Sequence, residues 1–108
     1  MSIERHTPEQ VADDFIDFEA QHVTLTAGAS TPINFTRAVR AVRIKNWDTT
    51  NPVLVKSTTI SGVGDTTASR VGVAPASNVP NGGWYPYTTT SIFILSAGAS
   101  VVTVEGFV

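Results

Sequence analysis

The sequence predicts an all-β domain, a small β-sandwich or jelly-roll-like fold, preceded by an N-terminal helical arm. Short apolar stretches with the period of strands alternate with turns rich in Gly, Thr, Ser and Pro. Only 15% of the 108 residues are charged. This composition fits short strands joined by tight turns and argues against a coiled coil or a disordered chain. We expect residues 1–21 to form the arm and residues 22–108 to form the sandwich.

The arm is predicted from residues 7–21, TPEQVADDFIDFEAQ. Thr7 is a suitable helix N-cap, Pro8 suits the first helical position, and acids crowd the first turns, where the helix dipole favours them. Three apolar side chains at spacing i, i+4, i+7 form a stripe, which must pack on another surface because a helix of about 13 residues is marginal alone. They are Val11, Phe15 and Phe18. The sequence leaves open whether the stripe docks on its own domain or on a neighbouring subunit.

From His22 onward the sequence has the pattern of strands and turns. The stretches HVTLTAGASTPINF and TSIFILSAGASVVTVEGFV are each typical of strand, turn and strand. Their shared Ala-Gly-Ala-Ser turns place Gly28 and Gly98 where a hairpin requires a positive φ. NPVLVKS and SRVGVA are predicted as further short strands. Residues 57–91, which include PNGGWYP, are expected to be mainly loop.

The stretch TRAVRAVRIKNW, residues 36–47, has three arginines spaced three apart, as on a helix face. On a helical wheel Ile44 falls inside the basic arc, whereas a strand from Val42 alternates between apolar and basic residues. We therefore predict a strand, with a bulge near residues 40–41, that forms a hairpin with NPVLV. The predicted basic face of this strand carries Arg40, Arg43 and Lys45.

Charge is distributed unevenly along the chain. Residues 1–20 hold six acids and one base, whereas residues 21–108 hold three acids and six bases. Their formal charges are therefore −5 and +3. We expect an acidic arm and a mildly basic body to attract each other, within one chain or between copies.

No set of residues in the sequence predicts catalysis, and we expect no cofactor and no metal. Cysteine is absent, and the two histidines lie in or beside the arm without a second ligand at metal-binding spacing. The body is far less basic than domains that rely on phosphate contacts, so nucleic acid is not an expected partner. No apolar run approaches the length of a membrane span. The polar N-terminus has no signal-peptide core, so we expect synthesis in the cytoplasm.

A cluster of aromatic residues lies in NGGWYPYTTT, residues 81–90. Its members are Trp84, Tyr85 and Tyr87. They are suited to covering the open end of a small sandwich, to a protein interface, or to stacking on sugars. The sequence leaves these alternatives open.

Two stretches, RAVRIKNWDTTNPVLV and SIFILSAGASVVTVEGFV, resemble a pattern found in small bacteriophage virion proteins. The resemblance covers roughly residues 23–108; the acidic arm and the GWYPY stretch depart from it. It implies a non-enzymatic capsid decoration or cement protein of the virion, which binds the major capsid protein or another virion protein. We further expect a homo-oligomer such as a trimer, with the stripe, the basic strand and the aromatic cluster as interface. The alternatives are a tail or head–tail connector component and a carbohydrate-binding module.

Overall fold

The computed structural model describes residues 18–108, which form two four-stranded antiparallel sheets packed as a sandwich. The strands are β1 (Phe18–Thr24), β2 (Thr31–Val39), β3 (Ala41–Asn46), β4 (Val53–Lys56), β5 (Ser69–Val71), β6 (Asn81–Tyr85), β7 (Thr89–Ser96) and β8 (Val101–Phe107). Sheet A has the order β1-β8-β3-β6, and sheet B has the order β2-β7-β4-β5. The predicted all-β, sandwich-like fold is confirmed. Residues 18–108 contain no helix long and apolar enough to cross a membrane.

The predicted hairpins are wrong, because most consecutive strands lie in different sheets. The turns after β1, β3 and β7 each carry the chain from one sheet to the other. Among the described strands, only β4 and β5 are consecutive in the chain and adjacent in one sheet. At Arg40, where a bulge was predicted, the chain likewise passes from β2 in sheet B to β3 in sheet A.

The helix predicted through residue 21 is also wrong at its C-terminal end. β1 begins at Phe18 and pairs with β8 from Phe18↔Phe107 to Thr24↔Val101. Its side chains alternate between more and less exposed, with the period of two that a strand imposes. The predicted boundary between arm and sandwich therefore falls inside β1, while Val11 and Phe15 lie outside the described residues.

The core fills the space between the sheets with side chains that alternate along each strand. It consists of buried Leu25, Ile33, Phe35, Val39, Val42, Ile44, Val53, Val55, Val71, Ile92, Ile94, Val102 and Val104. A smaller apolar cluster covers the outer face of sheet B, where Ile60 packs on Leu54 and Leu95. The connection between β4 and β5 brings Ile60 to this position, and Lys56 holds the connection through Asp65 at 3.1 Å.

The two Ala-Gly-Ala-Ser turns lie side by side at one end of the sandwich. The amide of Leu25 donates to the Ser100 carbonyl at 2.8 Å, and the amide of Gly28 donates to the Ser96 carbonyl at 2.7 Å. Gly28 has φ 72°, as predicted, whereas Gly98 is not among the described glycines with positive φ. Gly98 is needed for space instead, because a Cβ there would collide with the Asn51 side-chain amide.

Candidate functional site on the outer face of sheet A

Sheet A presents one face to the core and the other outward. β3 and β8 pair with Arg43 opposite Glu105, so both side chains lie on the outward face. The same face holds Trp84, opposite Arg43 on β6, and Phe18, opposite Phe107 on β1. We call this surface the aromatic–basic face; its members are Phe18, Arg43, Lys45, Trp84, Glu105 and Phe107.

Three rings form the apolar part of the aromatic–basic face. Phe107 lies between Phe18 and Trp84, with ring centroids 5.3 Å and 5.1 Å away respectively. These neighbours leave Phe107 only 2% exposed, although it points away from the core, while Phe18 remains 41% exposed. Aromatic pairs at such separations are favourable, so the rings form a stable cluster in which Phe18 is exposed and Trp84 is partly exposed.

The charged part of the aromatic–basic face is centred on Glu105. Its Oε1 accepts a hydrogen bond from Arg43 Nε and lies 3.8 Å from Lys45 Nζ. The Arg43 guanidinium also lies 4.9 Å from the centroid of the Trp84 ring, close enough for a cation–π contact. Glu105 is 8% exposed, so its charge is compensated by two cations rather than by water.

A groove borders the aromatic–basic face at the strand ends. It has a volume of about 230 Å³ and is lined by Arg40, Ala41, Trp84, Tyr85 and Pro86. Arg40, predicted on the basic strand, lies between β2 and β3 instead. Its Nη2 donates to the backbone oxygen of Val108 at 2.9 Å. The groove is therefore an apolar depression with a guanidinium at its edge.

The three aromatic residues predicted as one group separate in the structure. NGGWY is strand β6 rather than loop, so Trp84 and Tyr85 point to opposite faces of sheet A. Tyr85 and Tyr87 pack against the core with their ring centroids 5.8 Å apart. Burial, with a smaller contribution from Tyr87, raises the pKa of the Tyr85 phenol.

Farther along β8, Thr103 organises a second polar contact on the outward side. Trp47 Nε1 donates to Thr103 Oγ1 at 3.0 Å, and His22 Nδ1 lies 2.9 Å from the same oxygen. This contact fixes the indole of Trp47 at the edge of sheet A. Polar contacts thus continue along the outward side of sheet A from Lys45 toward the turns.

A buried polar network ties together the turns at one end of the sandwich. Asn46 is fully buried; its Nδ2 donates to the carbonyls of Asn51 and Gly72, at 2.9 Å and 3.0 Å. The Asp48 carboxylate accepts from Ser100 Oγ at 2.6 Å and from the amides of Thr50 and Asn51. These hydrogen bonds lower the Asp48 pKa to about 2, and the bond from Ser100 has the largest effect. Burial acts in the opposite direction but is outweighed.

This network has the geometry of a structural support. Ser100 is 1% exposed, so a substrate cannot reach its hydroxyl in this arrangement. Ser100 bonds Ser96 and Asp48, not an imidazole that could accept its proton. Within residues 18–108, no group of three or more His, Asp or Glu side chains could hold a metal ion.

Side chains cover the neighbouring edges of the two sheets at β1 and β2. Glu19 Oε1 accepts hydrogen bonds from the Thr36 amide at 2.7 Å and the Thr36 hydroxyl at 2.9 Å. Gln21 Nε2 donates to the Asn34 carbonyl at 2.8 Å. Backbone groups that would pair with another strand are thereby occupied, which disfavours sheet extension at this edge.

Sequence reasoning placed Phe18, Arg43, Lys45 and Trp84 in three separate features, and the structure brings them together. It missed Glu105 and Phe107, which complete the aromatic–basic face. A signal for both was present in VVTVEGFV. Its period of two puts Val102 and Val104 on one side and the two missed residues on the other.

Comparisons of the sequence with protein-family models, with curated proteins and with solved structures found no match. Functional inference for this chain therefore depends on its own surface chemistry.

Proposed function

We propose that this protein is a non-enzymatic structural component of a bacteriophage particle, a capsid decoration or cement protein that binds the shell and neighbouring copies. The observation that carries the proposal is the aromatic–basic face, where the exposed Phe18 ring stacks on Phe107, which also contacts Trp84, and where Arg43 and Lys45 lie on the same face. Surfaces that combine aromatic and arginine side chains are typical of protein-interface hot spots.

The strand order supports the proposal at the level of fold. Sheets ordered β1-β8-β3-β6 and β2-β7-β4-β5 have the arrangement of an eight-stranded jelly roll. Jelly rolls occur in viral capsid domains and in lectins, so the fold is compatible with a virion role without identifying it. The resemblance of residues 23–108 to small virion proteins favours the first of these roles.

The proposed mechanism is adhesive. Each Phe buried against a partner contributes roughly 1.5–3 kcal/mol, whereas an ion pair at the rim adds about 0–1 kcal/mol. The rings of the aromatic–basic face, together with Val11 and Phe15 before β1, therefore set the affinity, and the cations set orientation. The partner is the major capsid protein or another virion protein, and the copies form a homo-oligomer such as a trimer.

The test is binding of purified variants to phage particles that lack this protein. Phe18→Ala should weaken binding markedly, because it removes the exposed ring while Phe107 and Trp84 remain. Val63→Ala, at a residue 53% exposed in the connection between β4 and β5, is the matched control and should bind like the wild type. Equal binding by both variants would contradict the assignment of the aromatic–basic face.

A tail or head–tail connector component is the alternative within the virion. Copy number in purified particles separates the two, since a decoration protein covers the shell in many copies and a tail component is present in few. A location restricted to the tail in a particle reconstruction would replace the decoration assignment.

A carbohydrate-binding module is the alternative outside that class, favoured by the position of Trp84 beside an apolar groove. Tyr85 and Tyr87 pack against the core, which leaves one ring of the predicted three for sugar stacking. Glycan binding that is lost in Trp84→Ala would support this alternative, and a glycan array without signal would remove it.

A further inference from the structure

The four edge strands of the sandwich, β1 and β6 in sheet A and β2 and β5 in sheet B, differ in how they are protected. Side chains of Glu19 and Gln21 bond the backbone where β1 and β2 adjoin. β5 has only three residues, one of which is the exposed Arg70. β6, with the sequence NGGWY, has no charged residue, and no described strand pairs on its outer side. Since short length and charge are the usual protection of an edge, β6 is the edge most suited to pairing with another chain.

The hydrogen-bond pattern of sheet A shows which backbone groups of β6 point outward. The Trp47 amide donates to the Val101 carbonyl, which continues the register of β3 and β8 as a hydrogen-bonded pair. Hydrogen-bonded pairs alternate along an antiparallel ladder, so the even-numbered residues of β3 bond on the other side, toward β6. Their partners are the odd-numbered residues of β6. The backbone N–H and C=O groups of Gly82 and Trp84 therefore point away from β3, toward the outer edge.

This outer edge is symmetric about Gly83. Pro80 and Pro86, which have no N–H to donate, lie at equal distances along the chain on either side of it. When two copies of β6 pair antiparallel with Gly83 opposite Gly83, Gly82 of each copy lies opposite Trp84 of the other. Both residues then exchange N–H and C=O bonds with the facing strand, which gives about four hydrogen bonds between the copies. Each proline faces a proline of the other copy, so the ladder ends where the N–H donors end.

The edge also has the space that this pairing needs. At the centre, Gly83 is in a pair without hydrogen bonds, where facing Cα atoms approach to about 4.5 Å. A Cβ at Gly82 would meet no side chain and only one backbone oxygen, at 4.0 Å, so the outward side of the edge is clear. The Trp84 ring leans away from the edge, with its centroid 5.1 Å from that of Phe107.

Charge does not oppose the pairing. β6 and its flanking prolines carry no charge, and the nearest cations on the aromatic–basic face, Arg43 and Lys45, belong to β3. Three strand spacings, about 14 Å, separate β3 of one copy from β3 of the other. That distance exceeds the Debye length of about 8 Å at physiological ionic strength, so repulsion between these cations is largely screened.

We propose that two copies of this chain pair along β6 across a two-fold axis at Gly83, so that their A sheets join into one continuous sheet. The contact is isologous and closes at two copies, so a trimer would need a different contact. Both aromatic–basic faces then point to the same side of the dimer, because pairing keeps each side chain on its side of the sheet. The contact does not depend on the proposed virion function; if that function holds, the dimer presents the docking surface twice.

The dimer should be weak in dilute solution. About four backbone hydrogen bonds of ordinary net strength correspond to a Kd on the order of 1 mM. A single strand edge also buries less than the roughly 1,200 Å² at which stable interfaces begin. Dimerisation is therefore measured best by NMR at millimolar protein concentration.

Hydrogen exchange and nuclear Overhauser effects on the full chain test the contact and its register together. Amide exchange at Gly82 and Trp84 should slow as the concentration rises through about 1 mM. Exchange at Gly83 and Tyr85, whose amides bond β3, should not change. In a mixture of isotope-labelled and unlabelled protein, a filtered Overhauser effect should connect the Hα protons of Gly83 in the two copies, because these are close in a pair without hydrogen bonds.

Two outcomes of these measurements would overturn the proposal. A chain that stays monomeric at millimolar concentration, shown by unchanged translational diffusion, would leave the edge of β6 to an extended segment of another protein. A dimer without the Overhauser effect at Gly83 would mean that the copies meet in another register or at another surface.

Variants at Gly82 identify the edge itself. Gly82→Lys should abolish the concentration-dependent protection at Trp84, because a lysine on an edge strand disfavours pairing and this side chain has open space in the single chain. Gly62→Lys, at another glycine with open space, in the connection between β4 and β5, is the matched control and should dimerise like the wild type. Gly82→Pro removes one N–H that points to the edge and should also weaken the dimer, while the bonds between β3 and β6 remain. Unchanged dimerisation in both Gly82 variants would overturn the proposal. Particle binding by Phe18→Ala is scored separately, so either conclusion can fail alone.

Discussion

Asn46 is the residue whose replacement should most damage the connections at the end of the sandwich. Its side chain is 0% exposed and makes three hydrogen bonds: two as donor, to the carbonyls of Asn51 and Gly72, and one as acceptor, from the Asp48 amide. At about 0.5–1.5 kcal/mol each, their loss in Asn46→Ala costs about 3 kcal/mol of unfolding free energy. That corresponds to a fall in Tm on the order of 10–20 °C for a domain of this size.

Urea denaturation and calorimetry of three variants measure this effect. Asn81→Ala is the matched control, since its Nδ2 makes one hydrogen bond, to the Val73 carbonyl, in an exposed setting. It should cost less than about 1 kcal/mol. Asn46→Asp keeps the volume but turns a carboxylate toward two carbonyls, so it should be no milder than Asn46→Ala. A cost for Asn46→Ala equal to that of Asn81→Ala would refute the assignment of Asn46 as a buried tie between connections.

Three further predictions concern stability. The Asp48 pKa is lowered from 3.8 to about 2, so the stabilisation by its carboxylate is present above pH 3.8 and is lost as the pH falls toward 2. The unfolding midpoint measured over this pH range should therefore fall. The fall should be smaller in Ser100→Ala, which lacks the hydroxyl that donates to Asp48. Gly98→Ala should lower the unfolding midpoint in urea, because the added methyl group enters space filled by a side-chain amide. Ile60→Ala should cost about 2–4 kcal/mol in the same assay, while Val63→Ala on the same connection should cost little.

The strands were predictable where side chains alternate or form buried runs. Val42 and Ile44 mark the core side of β3, and the apolar run of residues 92–95 is in β7. A local pattern identifies the side a residue faces, because the period of a strand is two. It does not identify the sheet to which the strand belongs.

The hairpin predictions failed for this reason. A tight hairpin and a connection that crosses between sheets have the same local sequence of strand, turn and strand. The difference lies in the distant partner: β1 pairs with β8, and β2 pairs with β7. The repeated Ala-Gly-Ala-Ser sequences do mark turns, but each turn connects strands of different sheets. The two turns are joined by hydrogen bonds between Leu25 and Ser100 and between Gly28 and Ser96.

β6 was missed because its composition disfavours a strand. NGGWY contains two glycines and an asparagine, which are depleted in strands. Pairing along β3 from Asn46↔Asn81 to Val42↔Tyr85 overrides that preference. Once β6 is a strand, Trp84 must lie on the face opposite Tyr85, and the predicted aromatic group is divided.

One acid partner of the basic strand is set by strand register and not by composition. The first 20 residues contain most of the acids, yet Arg43 pairs with Glu105, because the register of β3 and β8 sets these two directly opposite each other. Glu105 is almost covered and is shared with Lys45 at 3.8 Å, so removing it would leave two neighbouring cations without their common carboxylate. Arg40 lies outside this pair and lines the groove. Its replacement should therefore reduce the salt dependence of binding to the phage particle while leaving sheet A intact.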